Sequence, residues 1–174
     1  MNRDDTLTIL STGGTFNKIY NPLTGALEID PEARALRQIM ERWRCRFELR
    51  TLIHKDSLEM DDRDRRQLAQ AVAECPGAKI LIVHGTDTME HSARYLTERF
   101  GSERQILLTG AMVPYSIDPV EATANLASAV GWMKGSERRG VFLALHGLIL
   151  PEGAIYKDRE AGYFRPRLHK GEKG

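Results

Sequence analysis

The sequence predicts an α/β protein: a three-layer, doubly wound, mostly parallel sheet with helices on both faces and a C-terminal hairpin. Three observations carry that expectation. Residues 79–84 and 105–109 are apolar without alternation, as strands buried on both faces are. Segments with apolar residues at helical spacing separate such runs, the pattern of βαβ units. Several of the runs end abruptly at glycine and hydroxyl residues, as strands do where they deliver a turn to a sheet edge.

Residues 6–11 form the first strand, which stops at Thr12-Gly13-Gly14-Thr15. Glycines there let the chain reverse and let a ligand approach the backbone. The competing reading is a plain strand-exit turn in which Thr15 satisfies local backbone groups. Residues 16–29 are polar and turn-rich, a loop long enough to act as a lid. Asp30-Pro31 then starts a helix, with Asp as N-cap and Pro at the first helical position. Ala35, Leu36, Ile39, Met40 and Trp43 share one side of it. Residues 47–53 alternate apolar and polar, a strand with one wet face near a sheet edge, leading to Lys55-Asp56-Ser57-Leu58. A second helix spans about residues 62–74 and is stopped by Pro76-Gly77. Asp61, Asp62 and Asp64 alternate with Arg63, Arg65 and Arg66 and suit a helix start, so no metal site is read there.

The central strand, 79–84, ends at Gly85-Thr86-Asp87-Thr88, and Met89, Ala93, Leu96 and Phe100 mark the helix that follows. The strand 105–109 ends in Gly110. Asp118-Pro119-Val120-Glu121 opens another helix, with an N-cap and an acid three residues on, running to about Met133. Residues 134–140 lead into the last core strand, 141–145. Residues 148–156, around Pro151-Glu152-Gly153, read as a small hairpin, and beyond Tyr156 the pattern dissolves. Ligands of open parallel sheets sit beyond the carboxyl ends of the strands. Thr15, Ser57, Thr86, Asp87 and Gly110 are therefore expected to face one crevice.

The chain of 174 residues suits a single domain able to bury a core. Its 25 Lys and Arg nearly balance 24 Asp and Glu, so no net field points to nucleic acid or an anionic membrane. The basic stretch 165–173 reads as a solvated terminus. Cys45 and Cys75 lack metal-ligand spacing and read as free thiols in a reducing compartment. No apolar leader or membrane-length run is visible, and the expected location is cytoplasmic.

A threonine hydroxyl is a poor nucleophile until a base removes its proton. His54, His84, His91, His146 and His169 have no motif around them and read as structural or surface residues. Lys134 is the more interesting base, because a lysine beside hydroxyls and a carboxylate can take and return a proton. Its plainer reading is an exposed residue at a helix end. Asp87 and Ser57 both have a plainer reading as helix caps. The Thr12–Thr15 turn lacks the later glycine of a dinucleotide fingerprint, and Gly85–Thr88 matches no phosphate loop. Spacing alone thus supports a threonine-using hydrolase of small polar substrates.

Four blocks come in a recognisable order: Thr12-Gly13-Gly14-Thr15, Asp56-Ser57, His84-Gly85-Thr86-Asp87-Thr88-Met89-Glu90, and Leu108-Thr109-Gly110-Ala111-Met112. Together they resemble the bacterial-type L-asparaginases, with similarity continuing through Asn125 into the Lys134 region and covering roughly residues 6 to 156. The resemblance implies hydrolysis of L-asparagine to aspartate and ammonia without metal or cofactor. It implies Thr15 as the nucleophile that forms an acyl-enzyme and Tyr20 as its partner on the mobile loop. By the same resemblance, Thr86, Asp87 and Lys134 form a second catalytic cluster. Ser57 and Asp87, with Thr86, would hold the substrate's α-carboxylate and α-ammonium.

Two departures qualify this picture. Leu58 stands where the family often has glutamine after the serine. The chain also looks like a short, single-domain form spanning 1–174, without the family's usual C-terminal domain and the acid it lends to a neighbouring protomer. A homo-oligomer in which Glu152, Asp158 or Glu160 supplies that acid is the corresponding expectation. Broader glutaminase or amidase activity is the alternative enzyme reading. A catalytically weak amino-acid-binding domain is the alternative of another class.

Overall fold

Five strands of the computed structural model run parallel at the centre of the protein, which is described over residues 6–167. They are β1 (Leu7–Gly13), β4 (Phe47–Lys55), β5 (Lys79–Val83), β6 (Gln105–Thr109) and β7 (Gly140–Leu145). With β8 (Leu148–Pro151) they form one sheet in the order β4-β1-β5-β6-β7-β8, and only the β7–β8 pair is antiparallel. Two small antiparallel hairpins stand apart: β2 (Lys18–Asn21) with β3 (Ala26–Ile29), and β9 (Ile155–Asp158) with β10 (Tyr163–Pro166). The helices are α1 (Arg34–Arg42), α2 (Asp62–Glu74), α3 (Met89–Phe100) and α4 (Pro119–Gly135).

The period of two along each strand divides the core into two halves. Ile9, Leu81, Leu107 and Phe142 pack with Leu36, Ile39 and Met40 of α1 and Ala122, Leu126 and Ala129 of α4. Leu10, Ile80, Ile82, Ile106, Leu108 and Leu143 turn to the other face, against Leu68 and Val72 of α2 and Ala93 and Leu96 of α3. Both faces of the central strands are covered, which is why those runs read as continuously apolar. The edge strand β4 keeps a half-exposed pattern, as its alternation predicted.

This division has a topological consequence. The chain steps from β1 to β4 in one direction with α1 on one face. It then steps back past β1 to β5, and on to β6, with α2 and α3 on the opposite face. Reversing both direction and face preserves hand, so these three crossovers are alike. The next step, β6 to β7, continues in the same direction, yet α4 lies on the α1 face. The β6–α4–β7 crossover is therefore of the opposite hand, against the strong right-handed rule for the other three. Its entry segment, residues 110–118, must pass over the carboxyl edge of the sheet to reach that face. There the Tyr115 amide donates to the Phe16 carbonyl at 3.4 Å, and Ser116 Oγ donates to the Lys18 carbonyl at 2.7 Å.

Three expectations change. The first helix begins at Arg34 rather than at Asp30-Pro31, because Ala33 sits at φ 49° and breaks the helical path. Asp30 instead closes the preceding turn, accepting from the Glu32 and Arg34 amides and the Arg34 guanidinium. Burial opposes its charge, but the Arg34 contacts outweigh this and hold its carboxyl below the usual range. The turn-rich loop 16–29 holds two short strands not expected in it, the β2–β3 hairpin. Finally, residues 148–156 are not one hairpin. β8 pairs back onto β7 through His146-Gly147, both at positive φ as a two-residue hairpin turn requires. The ordered structure continues through β9 and β10, which are anchored by the buried Ile155 and Phe164.

Candidate active site

The carboxyl ends of β1, β4, β5 and β6 meet in a joint made by glycines. A Cβ on Gly14 would lie 2.5 Å from Gly85 Cα, and one on Gly85 would lie 2.7 Å from Ser57 Oγ. A Cβ on Gly110 would collide with the His84 carbonyl oxygen. Only glycine permits this backbone approach, and Gly14 adds a φ of 75°. The joint brings the strand exits carrying Thr15, Ser57 and Thr86-Asp87 side by side, as the sequence predicted. Thr15 is half-buried at the start of a 3-10 turn, residues 15–17. Among the described residues its hydroxyl forms no hydrogen bond.

Ser57 is buried, and its Oγ accepts from the amides of Asp87 (3.2 Å) and Thr88 (3.3 Å). Its hydroxyl proton is thereby left to point elsewhere. The Thr88 hydroxyl returns a bond to the Ser57 carbonyl at 2.7 Å. Neither Asp87 nor Ser57 serves as the plain helix cap considered above. Thr88 occupies the N-cap position of α3, and Asp61 caps α2 through the Arg63 and Asp64 amides.

The lysine that reaches this cluster is Lys157, on β9. Its Nζ donates to Thr86 Oγ1 at 2.9 Å and to Asp87 Oδ1 at 2.9 Å, and its side chain is only 10% exposed. Its own amide donates to Glu90 Oε1, which fixes the strand against α3. Lys134 is a correction. It lies exposed in the last turn of α4, and the carbonyl of its neighbour Met133 is held by Lys79, the first residue of β5. That is the amino edge of the sheet, about 15 Å of strand away from the cluster. Sequence reasoning missed Lys157 because it sits in a four-residue strand. A signal was present: Ile155-Tyr156-Lys157 and Tyr163-Phe164-Arg165 flank a turn with Asp158 and Gly162, a hairpin pattern.

Other expected residues are placed as follows. Tyr20 lies on β2 opposite Leu27, 61% exposed and without a hydrogen bond to Thr15. The root of its hairpin is tied down by Lys18 on Asp56 at 2.7 Å and by the Asp30 amide on the Asn17 carbonyl. Leu58 is largely exposed. Glu152 belongs to the amino edge, where its amide bonds Val141 and its carboxylate faces Arg94. Asp158 pairs with Arg165, and Glu160 is exposed.

Two histidines that sequence reasoning left as structural frame the site. His84 is fully buried; Nδ1 donates to the Gly85 carbonyl at 2.7 Å and Nε2 accepts from Ser92 at 2.8 Å. Burial pushes its pKa down to about 4, outweighing the bond to Gly85, and Arg65 adds to the effect. His146 Nδ1 accepts from the Phe164 amide at 3.1 Å, so its proton lies on Nε2, which donates to Glu121. Glu121 also accepts from the Met112 and Val113 amides. Among the described residues, no three His, Cys, Asp or Glu converge in a way suited to a metal ion. Among the same residues, no helix is long and apolar enough to cross a membrane.

Comparison with known proteins shows the family. The family model described as "Asparaginase, N-terminal" matches residues 6–160. A probable periplasmic L-asparaginase of Haemophilus influenzae is 32% identical over 156 residues, covering 83% of this chain and 44% of that protein. A glutamyl-tRNA(Gln) amidotransferase component of Methanococcus vannielii is 32% identical over 151 residues, covering 82% of this chain and 34% of its own. The chain thus spans less than half the length of these relatives. Among solved structures, the thermostable L-asparaginase from Thermococcus kodakarensis superposes with a TM-score of 0.81 at 25% identity, over 92% of this chain and 51% of that one. The chain belongs to the asparaginase family, through the N-terminal domain of that family.

Proposed function

We propose that the protein is an amidohydrolase that cleaves a linear carboxamide through an acyl-enzyme on Thr15, with L-asparagine as the first substrate to consider. The observation that carries this reading is the Thr86–Lys157–Asp87 cluster, joined by two bonds of 2.9 Å. The Gly14–Gly85 contact sets the Thr15 turn beside it.

In this reading Thr15 Oγ attacks the amide carbon, and its proton is passed by the Thr86–Lys157 pair to the departing nitrogen. Ammonia leaves, and an ester on Thr15 remains. Water attacks that ester while the same pair takes its proton, releasing the acid and restoring the hydroxyl. Ser57 Oγ, its acceptor side occupied, donates to a substrate carboxylate, and Asp87 faces the substrate's other end. Tyr20 comes over Thr15 when the β2–β3 hairpin closes.

Ammonia release from L-asparagine and L-glutamine tests this. Thr15→Ala and Lys157→Met are each expected to lower kcat by at least about 1000-fold, the scale of losing a nucleophile or its base. Lys134→Ala is expected to retain full activity. Loss of activity in Lys134→Ala with retention in Lys157→Met would reverse the assignment. Glutamine belongs in the assay because an amidotransferase is among the relatives.

A further inference from the structure

Asp87 is gripped by two cations, not one. Besides Lys157, Arg159 donates from Nη1 to Asp87 Oδ1 at 3.0 Å and from Nη2 to the Asp87 carbonyl at 2.9 Å. The other charges nearby are already matched. Asp158 pairs with Arg165, and Glu90 pairs with Arg167 while also receiving the Lys157 amide. The Arg159 guanidinium alone already offsets the Asp87 charge, and Lys157, whenever it holds its proton, adds to the positive side. An ammonium brought there must share the carboxylate with a lysine and an arginine, both bonded to its Oδ1, and the guanidinium repels it. A neutral group in the same place meets no such opposition.

We infer that Arg159 is a specificity-determining residue that weakens the site's hold on the α-ammonium of substrates such as L-asparagine relative to amides without it. It favours ω-amides of dicarboxylic acids that lack that charge. This deepens the proposed amidohydrolase reading and rests on Asp87 facing the substrate. Arg159 is 61% exposed, so solvent screens its charge and its effect is one of preference.

Succinamate and L-asparagine differ only by the α-ammonium, which makes them the probes. The ratio of kcat/KM for succinamate over L-asparagine is measured for the unmodified chain, Arg159→Ala and Arg159→Lys. Calorimetric binding of both compounds to the same three proteins is measured alongside. The ratio is expected to fall about two- to fivefold in Arg159→Ala, the scale of one exposed ion pair, and to be largely kept in Arg159→Lys. A ratio unchanged in Arg159→Ala overturns the inference while leaving the amidohydrolase intact. Absence of turnover of any amide removes the amidohydrolase reading, and the binding ratio then decides the role of Arg159 by itself. Binding that fails to discriminate the two compounds, including no binding of either, overturns the inference.

Discussion

His84 stands one residue before Gly85 of the glycine joint and is held neutral by burial, with both ring nitrogens bonded. Its unfolded counterpart takes a proton below about pH 6.5, whereas in the fold it does so only near pH 4. Between those values the unfolded state binds more protons, so stability falls as pH falls through that window. The expected loss from this one residue is about 3 kcal/mol. Urea unfolding at pH 7, 5.5 and 4, with His84→Gln alongside, measures it; an equal slope in both proteins would place the acid sensitivity elsewhere. Single residues also show what a sequence hides. Lys134 and Lys157 are alike as letters, and their difference lies in which edge of the sheet each reaches. Helix α4 carries Lys134 away from the site, whereas pairing with β10 and the bond of its amide to Glu90 carry Lys157 toward it.

The β9–β10 hairpin is the element on which the site depends most and which the sequence announces least. Each strand has four residues, too few for periodicity to register, and its order comes from tertiary anchors. Phe164 lies directly across from Lys157 in the pairing register, and its amide is the one that His146 accepts. His146 is in turn fixed by Glu121 and by Asn125, which accepts from the His146 amide and donates to the Gly110 carbonyl. Helix α4 therefore positions the lysine from a distance. His146→Ala removes two hydrogen bonds worth about 1 kcal/mol each. Amide exchange of β9 and β10 is expected to quicken about 30-fold while β5 and β6 keep their protection. Unchanged exchange in the hairpin would mean that Ile155 and Phe164 hold it unaided. By contrast, the buried parallel strands were legible because their apolar runs are long and uninterrupted. The helix start at Asp30 was misplaced because Ala33 adopts a left-handed conformation that no propensity favours.

Across the whole molecule the sheet is a wall with two independent apolar faces, and stability should follow that division. Leu107→Ala removes a fully buried side chain from the centre of the α1–α4 half and is expected to cost about 3 kcal/mol. Val120→Ala, exposed on α4, is expected to stay within about 0.5 kcal/mol. Denaturant unfolding of both variants distinguishes these, and similar losses would contradict the described packing. The reversed crossover shows where sequence reasoning stops: hand is set by which face α4 covers, and α4 is apolar on enough of its surface to suit either.

Thr15 follows the first strand and Lys157 lies on the ninth, with the whole parallel sheet between them in the chain. At ordinary elongation rates the lysine leaves the ribosome roughly seven to thirty seconds after the threonine. A nascent chain that has already stacked β1, β4, β5 and β6 carries Thr15 without Lys157 near it. On the proposed mechanism reactivity waits for the β9–β10 hairpin, so a chain halted before residue 155 is expected to release no ammonia from an amide.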